Sequence, residues 1–274
     1  MSSPAPPRDW TDIHWPDIAG AKPARWIAVL PLAATEQHGP HLPVGTDVMI
    51  GEAYLARVRE LLPAQIPATF LPQQAVGIST EHIDYPGTLT LPTEIALKAW
   101  AALGESVARS GVKKLVMVTS HGGNSAGMTL VAQDLRAQHR LFVVTTSWSR
   151  LSAADGLFSV EELRHGIHGG AAETSIMLAR YPQSVRKKAI ANFRPASIAM
   201  EKDHRWLSTQ RPAPYAWQAQ DLHDGGAIGD ATKASAENGE RLLDHGARAF
   251  CELLEEVDNF DVKKLSGGPD KSAK

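Results

Sequence analysis

Residues 114–119, Lys-Leu-Val-Met-Val-Thr, constrain the fold more than any other stretch of the chain. The run is short, apolar and β-branched, with Ser110-Gly111 before it and Ser120-His121-Gly122-Gly123-Asn124 after it. Such a run reads as a strand buried on both faces, and strands of that kind belong to parallel sheets covered by helices. The flanking patterns agree. A helix starting at Thr93, its expected N-cap, carries Ala96, Trp100, Leu103 and Val107 at the i, i+4, i+7, i+11 spacing. After the strand, a helix with Met128, Val131 and Leu135 on one side leads to a second strand, Leu141 to Thr146. Upstream, Trp26 to Leu32 reads as a strand and Asp47 to Leu62 as a helix with Ile50, Tyr54, Val58 and Leu61 on one face. A short strand follows near Ala68 to Leu71. Strand alternating with helix predicts an α/β fold with a mainly parallel central sheet. In such sheets, ligands bind beyond the carboxyl ends of the strands.

The loop after the first strand, Glu36-Gln37-His38-Gly39-Pro40-His41-Leu42-Pro43-Val44-Gly45-Thr46-Asp47, places two carboxylates and two imidazoles within twelve residues. Gly39, Pro40, Pro43 and Gly45 exclude regular structure there. Oxygen and nitrogen donors at a strand end suit a divalent cation, and two cations can share one carboxylate. Each residue also has an ordinary alternative: a surface charge for Glu36, a solvated position for His38, a helix cap for Asp47. His121 follows a strand too, and Gly122-Gly123 lets the backbone turn sharply, with Asn124 expected to cap the next helix. The glycine pair is too short for a phosphate loop and lacks its Lys-Ser/Thr. Further on, His168-Gly169-Gly170 precedes Glu173, which opens an apolar helical run ending at Tyr181-Pro182. A carboxylate there can serve the helix dipole. An imidazole beside it can move a proton near neutral pH. Trp148 also follows a strand, as a pocket wall or as core.

The bulk numbers exclude more than they identify. With 28 Lys plus Arg against 30 Asp plus Glu, the formal charge is −2, which gives no electrostatic case for nucleic acid or an anionic membrane. The one cysteine, Cys251, precludes an internal disulfide and sits in an apolar context that suggests a core thiol. No secretory signal and no membrane-length apolar run is visible, so a reducing cytoplasm is expected. Without an internal repeat or a long linker, 1–274 is expected to form a single domain. Its core runs from about 24 to 258, with 1–10 and 266–274 flexible. The segments 73–92 and 200–226 are expected to carry specificity. The stretch Gly225 to Ala231 reads as a turn, a substrate loop or a subunit contact.

Four separated blocks together resemble the creatininase (creatinine amidohydrolase) family: the Glu36 to Pro43 loop with Asp47, the Glu81-His82 to Pro86-Gly87-Thr88 segment, Ser120 to Asn124, and His168-Gly169-Gly170 with Glu173-Thr174. The resemblance implies a three-layer α/β/α sandwich, a homohexamer and a two-cation site that hydrolyses non-peptide or unusual C–N bonds of small amides with a metal-activated water. Zinc is the first expectation, with manganese or iron(II) as alternatives. Carried over residue by residue, Glu36 and His121 are expected to bind one cation and His38 the other. Asp47 is the expected bridge. Glu173 is either a ligand or an acid–base group, and His168 and Trp148 match positions that handle substrate and protons. True creatininases carry tyrosine and glutamate where this chain has Gly122 and Gly123. The resemblance therefore points to the broader group that includes formamide deformylases of formamidopyrimidine intermediates and a mycofactocin-precursor peptidase. Cyclic amides and formamides are the implied substrates. The readings set against this are a catalytically silent binding or assembly module and a metal-dependent phosphoesterase; the latter should show a basic clamp that the ligand loops lack.

Overall fold

The computed structural model describes residues 5–21, 23–152 and 156–265. Four parallel strands form the central sheet: β1 (Ile27–Leu32), β2 (Ala68–Phe70), β3 (Lys114–Thr119) and β4 (Phe142–Ser147), in the order β2-β1-β3-β4. The β1/β3 register pairs Ile27 with Lys114 and Leu32 with Thr119, and the β3/β4 register pairs Thr119 with Ser147. The carboxyl ends of β1, β3 and β4 therefore lie side by side.

β1 and β3 are buried at every residue, and successive side chains face opposite sides of the sheet. Ile27, Val29, Val116 and Val118 face one core cluster and Ala28, Leu30, Leu115 and Met117 face the other. Period-two side chains with both faces apolar require helices on each side. One layer holds α2 (Thr46–Leu61), α7 (Ala171–Arg180) and α10 (Ala236–Asn259), whose Leu243, Ala247, Phe250, Leu254 and Val257 are all buried. The other holds α3 (Thr93–Arg109) and α4 (Asn124–His139). The result is the expected three-layer sandwich. Shorter helices complete the chain: α1 (Trp15–Gly20), α5 (Trp148–Leu151), α6 (Val160–His165), α8 (Ser197–Asp203) and α9 (Ala219–Leu222). The two-residue strands β5 (Asn192–Phe193) and β8 (Gly229–Asp230) pair with each other, as do β6 (Leu207–Ser208) and β7 (Ala213–Pro214). Among the described residues, no helix is long and apolar enough to cross a membrane.

Three expectations need correction. Residues 8–10, read as flexible, are tied down: Arg8 donates to the carbonyls of Leu62, Pro63, Ile66 and Ala68, and its own carbonyl accepts from Phe70. Thr93 is the first residue of α3 and follows Pro92 at the cap position, with its side chain making no capping bond. Asn124 does not cap α4 either. Its side chain donates to the Ala33 carbonyl and Thr119 Oγ1 and accepts from Ile78 N, stitching three loops together at the sheet edge. Residues 1–4 and the tail 266–274 lie outside the described residues. Cys251 is half-buried, and burial pushes its thiol up to about 11.

Candidate metal centre

The loop after β1 turns Glu36 and His38 inward, so that Glu36 is 0% and His38 1% exposed, which excludes a surface role for either. Asp47 is the second residue of α2, behind Gly45 at the cap position. It is 1% exposed, and no side-chain bond caps the helix at Gly45. Its Oδ1 lies 3.4 Å from His38 Nε2 and its Oδ2 3.4 Å from His121 Nδ1. One carboxylate thus faces two imidazoles from opposite sides, as a bridge between two cations requires. Glu36 Oε1 is 3.2 Å from His121 Nδ1, and Glu173 Oε2 is 3.6 Å from His38 Nε2. The five expected ligands, from the loops after β1 and β3 and the starts of α2 and α7, therefore converge.

Backbone contacts orient the rings. His38 donates Nδ1–H to the Glu36 carbonyl at 3.0 Å, which leaves Nε2 free to coordinate. His121 donates Nε2–H to the Ile78 carbonyl at 2.7 Å, which leaves Nδ1. Fixing one ring nitrogen on a carbonyl so that the other presents its lone pair is the usual support for a metal-binding histidine. Glu36 Oε2 accepts from Ser79 Oγ, and Glu173 Oε2 accepts from Gly169 N at 2.7 Å. The inward atoms are left over: Glu36 Oε1, His38 Nε2 and Asp47 Oδ2 are buried without a hydrogen-bond partner. Buried polar atoms are almost always satisfied, and each orphan costs about 1–3 kcal/mol. Three such atoms within one cluster of histidine and carboxylate donors fit divalent cations.

Charge in the cluster tells the same story. Burial favours a neutral His38, but Asp47, Glu173 and Glu36 more than offset it and raise the imidazole to about 9. For His121 burial is likewise outweighed, by Glu36, Asp47 and Glu81, and its value rises to about 10. Burial pushes Glu173 up to about 7, with the Asp47 charge adding to it and His38 opposing it. Burial would raise Glu36, but His121, His168 and His82 hold it well below the usual carboxylate range. Without cations, protons on the histidines balance the buried carboxylates.

Two residues that the sequence reading did not place at the centre also belong to it. His82, at the end of a one-turn 3-10 helix (Thr80–His82), points Nε2 at Glu36 Oε1 from 3.4 Å, and its Nδ1 accepts from the Gln37 side-chain amide at 2.7 Å. Glu81 Oε1 stands 3.4 Å from His121 Nε2, behind that ring. The block Glu81-His82 was visible as part of the resemblance. Its side chains gain a role only because β1 and the 73–92 loop run together, with Leu89 N bonded to the Thr35 carbonyl. Glu81 also accounts for Gly123: a Cβ there would lie 2.6 Å from Glu81 Oε1 and 2.4 Å from His121 Nε2.

His168 is sandwiched between His38 and His82, with ring centroids 4.1 Å from each. It donates Nε2–H to the Gln37 carbonyl at 2.6 Å and turns Nδ1 toward Glu36 Oε1 at 3.6 Å. Burial, with the charges of His38 and His82, pushes it well below the usual histidine range. His41 is elsewhere: its Nε2 lies 3.0 Å from both the Gly169 carbonyl and Thr174 Oγ1, clasping the start of α7. Trp148 stacks on Tyr54 at 4.6 Å and leans on Phe250, inside the core beside the site rather than in the ligand cluster. The Gly225–Ala231 stretch backs the site loop: the Gln37 side chain bonds the Gly226 carbonyl, and Ile228 pairs with His168. The ligand groups open into a cavity of about 620 Å³, whose outer wall includes Gln210 and Trp217 from the 200–226 segment.

Comparison with known proteins gives the family and the fold. A family model described as "Creatininase: Creatinine amidohydrolase" matches residues 11–254. A mycofactocin precursor peptide peptidase of Mycobacterium ulcerans is 30% identical over 262 residues, covering 90% of this chain and 89% of the relative. A creatinine amidohydrolase of Pseudomonas putida is 27% identical, covering 84% and 89%. A solved structure of creatininase in a manganese form superposes with a TM-score of 0.72 at 23% identity, covering 93% of this chain and all of that one, and so shares the fold.

Proposed function

We propose that this chain, which belongs to the creatininase family, is a divalent-cation-dependent amidohydrolase that cleaves a C–N bond of a small amide, a cyclic amide or a formamide. The observation that carries the reading is that Glu36 Oε1, His38 Nε2 and Asp47 Oδ2, all buried without a hydrogen-bond partner, belong to one cluster of histidine and carboxylate donors. Glu36, Asp47 and His121 would hold one cation; His38, Asp47 and Glu173 would hold the other. Manganese, zinc and iron(II) all suit these donors, and creatininase structures in a manganese form and in a zinc–zinc form support the first two. When bound, such cations supply Lewis acidity toward the amide carbonyl and toward the attacking water.

The remaining work falls to the chain's own groups. The nitrogen leaving an amide must be protonated, because its anion is too poor a leaving group near neutral pH. His168 Nε2–H is fixed on the Gln37 carbonyl, so Nδ1 is the atom that can hold a proton in transit. The two flanking rings keep its plane fixed while that proton moves. Trp148 is assigned no chemical step; its place on Tyr54 suits it to shaping the pocket.

A second reading, processing of a peptide by cleavage at an unusual amide, is favoured by the 30% identity to the mycofactocin precursor peptidase. Metal analysis of the purified protein, followed by turnover assays on cyclic amides, formamides and peptides, separates the readings. Turnover of a peptide alone selects the second, and a metal-free preparation that still cleaves an amide overturns both. His168→Ala should lower kcat by roughly 100- to 10,000-fold while both cations are retained; unchanged turnover removes the proton-transfer role.

A further inference from the structure

Beside the main cavity lies a second, smaller one of about 200 Å³. The two share Ser120, Ser149, Leu163, Gly166, Ala172 and Glu173 in their walls, so the smaller is a side chamber of the site. Its inner wall is apolar: Ile50, Tyr54, Trp148, Ile176 and Leu242, each between 2% and 5% exposed. The parallel stack of Trp148 on Tyr54, with 4° between the planes, gives it one flat aromatic wall.

The polar groups that reach the chamber are already spoken for. Glu162 accepts from Ala171 N through one oxygen and from Asp230 N through the other. The Tyr54 hydroxyl pairs with Ser152 Oγ at 2.6 Å, and Ser149 Oγ pairs with Ser147 Oγ at 2.9 Å. Only Glu173, at the junction, is directed to the reacting centre. A chamber whose polar atoms are satisfied internally offers a ligand shape and apolar surface, and penalises a polar group that enters without a partner. An apolar cavity of about 150 Å³ is enough to admit benzene.

Resting on the amidohydrolase reading, we propose that this chamber is a specificity pocket for one benzene-sized apolar side chain of the substrate, attached close to the scissile amide. Tyr54, Trp148, Ile176 and Leu242 are then specificity-determining residues. The amides turned over best are those bearing a single-ring or similarly bulky apolar group, not the bare amide.

The test is direct binding to the manganese-loaded protein by calorimetry, with two hydroxamates that share one metal-binding head. Phenylacetohydroxamate should bind about ten- to a hundredfold more tightly than acetohydroxamate, the gain expected for burying one such ring. Ile176→Phe, which fills the chamber, should reduce that preference to within about threefold; Leu242→Phe serves the same end if the first variant does not fold. Equal affinities in the parent protein, or a preference that survives in a folded, metal-loaded variant, overturn the chamber while leaving the metal reading intact. If neither hydroxamate binds, both fall. If neither variant folds, the ratio in the parent protein decides alone.

Discussion

Asp47 concentrates the argument at the scale of single residues. It is almost completely buried, and burial raises its carboxyl, with His38 opposing that shift. A carboxylate buried this deeply needs positive charge beside it, which His38 and His121 supply when protonated and cations would supply when bound. Asp47→Ala should therefore drop the metal content well below one per chain while leaving the fold intact by circular dichroism; a variant that keeps both cations rules out the bridge. Glu81 calls for a smaller effect. It stands behind His121, but the Ile78 carbonyl already takes that ring's Nε2–H at 2.7 Å. Supporting contacts of this kind change metal affinity by about 10- to 100-fold, and with the carbonyl in place Glu81→Gln belongs at the lower end, near tenfold, as read by competition with a chelating dye.

At the scale of elements, the site depends on how closely the helices under it approach. Gly239 in α10 faces α7 where a Cβ would lie 2.1 Å from the Ser175 carbonyl oxygen and 2.5 Å from its carbon. Both are backbone atoms and cannot step aside, so Gly239→Ala must push the helices apart at a cost of about 1–3 kcal/mol. The melting temperature should fall by roughly 3–10 °C, and Gly20→Ala, with nothing within 4 Å of the added carbon, is the control. Elements of this kind were legible where one physical signal dominated. The run at 114–119 is β3 to the residue, because Ser110-Gly111 before it and Ser120-His121-Gly122-Gly123 after it break the pattern on either side. The strand expected at 141–146 runs from Phe142 to Ser147, and β1 starts at Ile27 instead of Trp26, since apolar residues just outside a strand look like residues within it. His82 was less legible than His38. Its segment has no periodicity, and its chemistry comes from contact with Glu36 and Gln37, some forty-five residues earlier in the chain. Asn124 was misread because its position before a helix suits a cap equally well; only the approach of residues 33 and 78 reveals the tie.

For the whole molecule, the buried cluster couples metal, protons and stability. In the metal-free protein His38 is raised to about 9 and His121 to about 10, against about 6.5 in an unfolded chain. A group whose folded value is raised lends stability that is complete below the unfolded value and disappears as pH climbs through the folded one. Glu173, raised to about 7, acts in the same direction from about pH 4.3 upward. The low value of Glu36 matters only in acid, below the unfolded carboxylate range. From pH 6.5 to 9 the metal-free protein should therefore lose stability as protons leave and the carboxylates are left facing one another. Cations replace those protons, so the loaded protein should not share this loss, and metal binding near neutral pH should release protons. At a hundredfold excess over Kd a cation adds about 2.7 kcal/mol, a rise of roughly 5–11 °C in Tm for a chain of this size. Thermal melts with and without a chelator at pH 6.5 and pH 9 measure the difference directly: the gap should widen at the higher pH, and a gap that narrows or stays constant would show that the cluster is not where metal and protons compete.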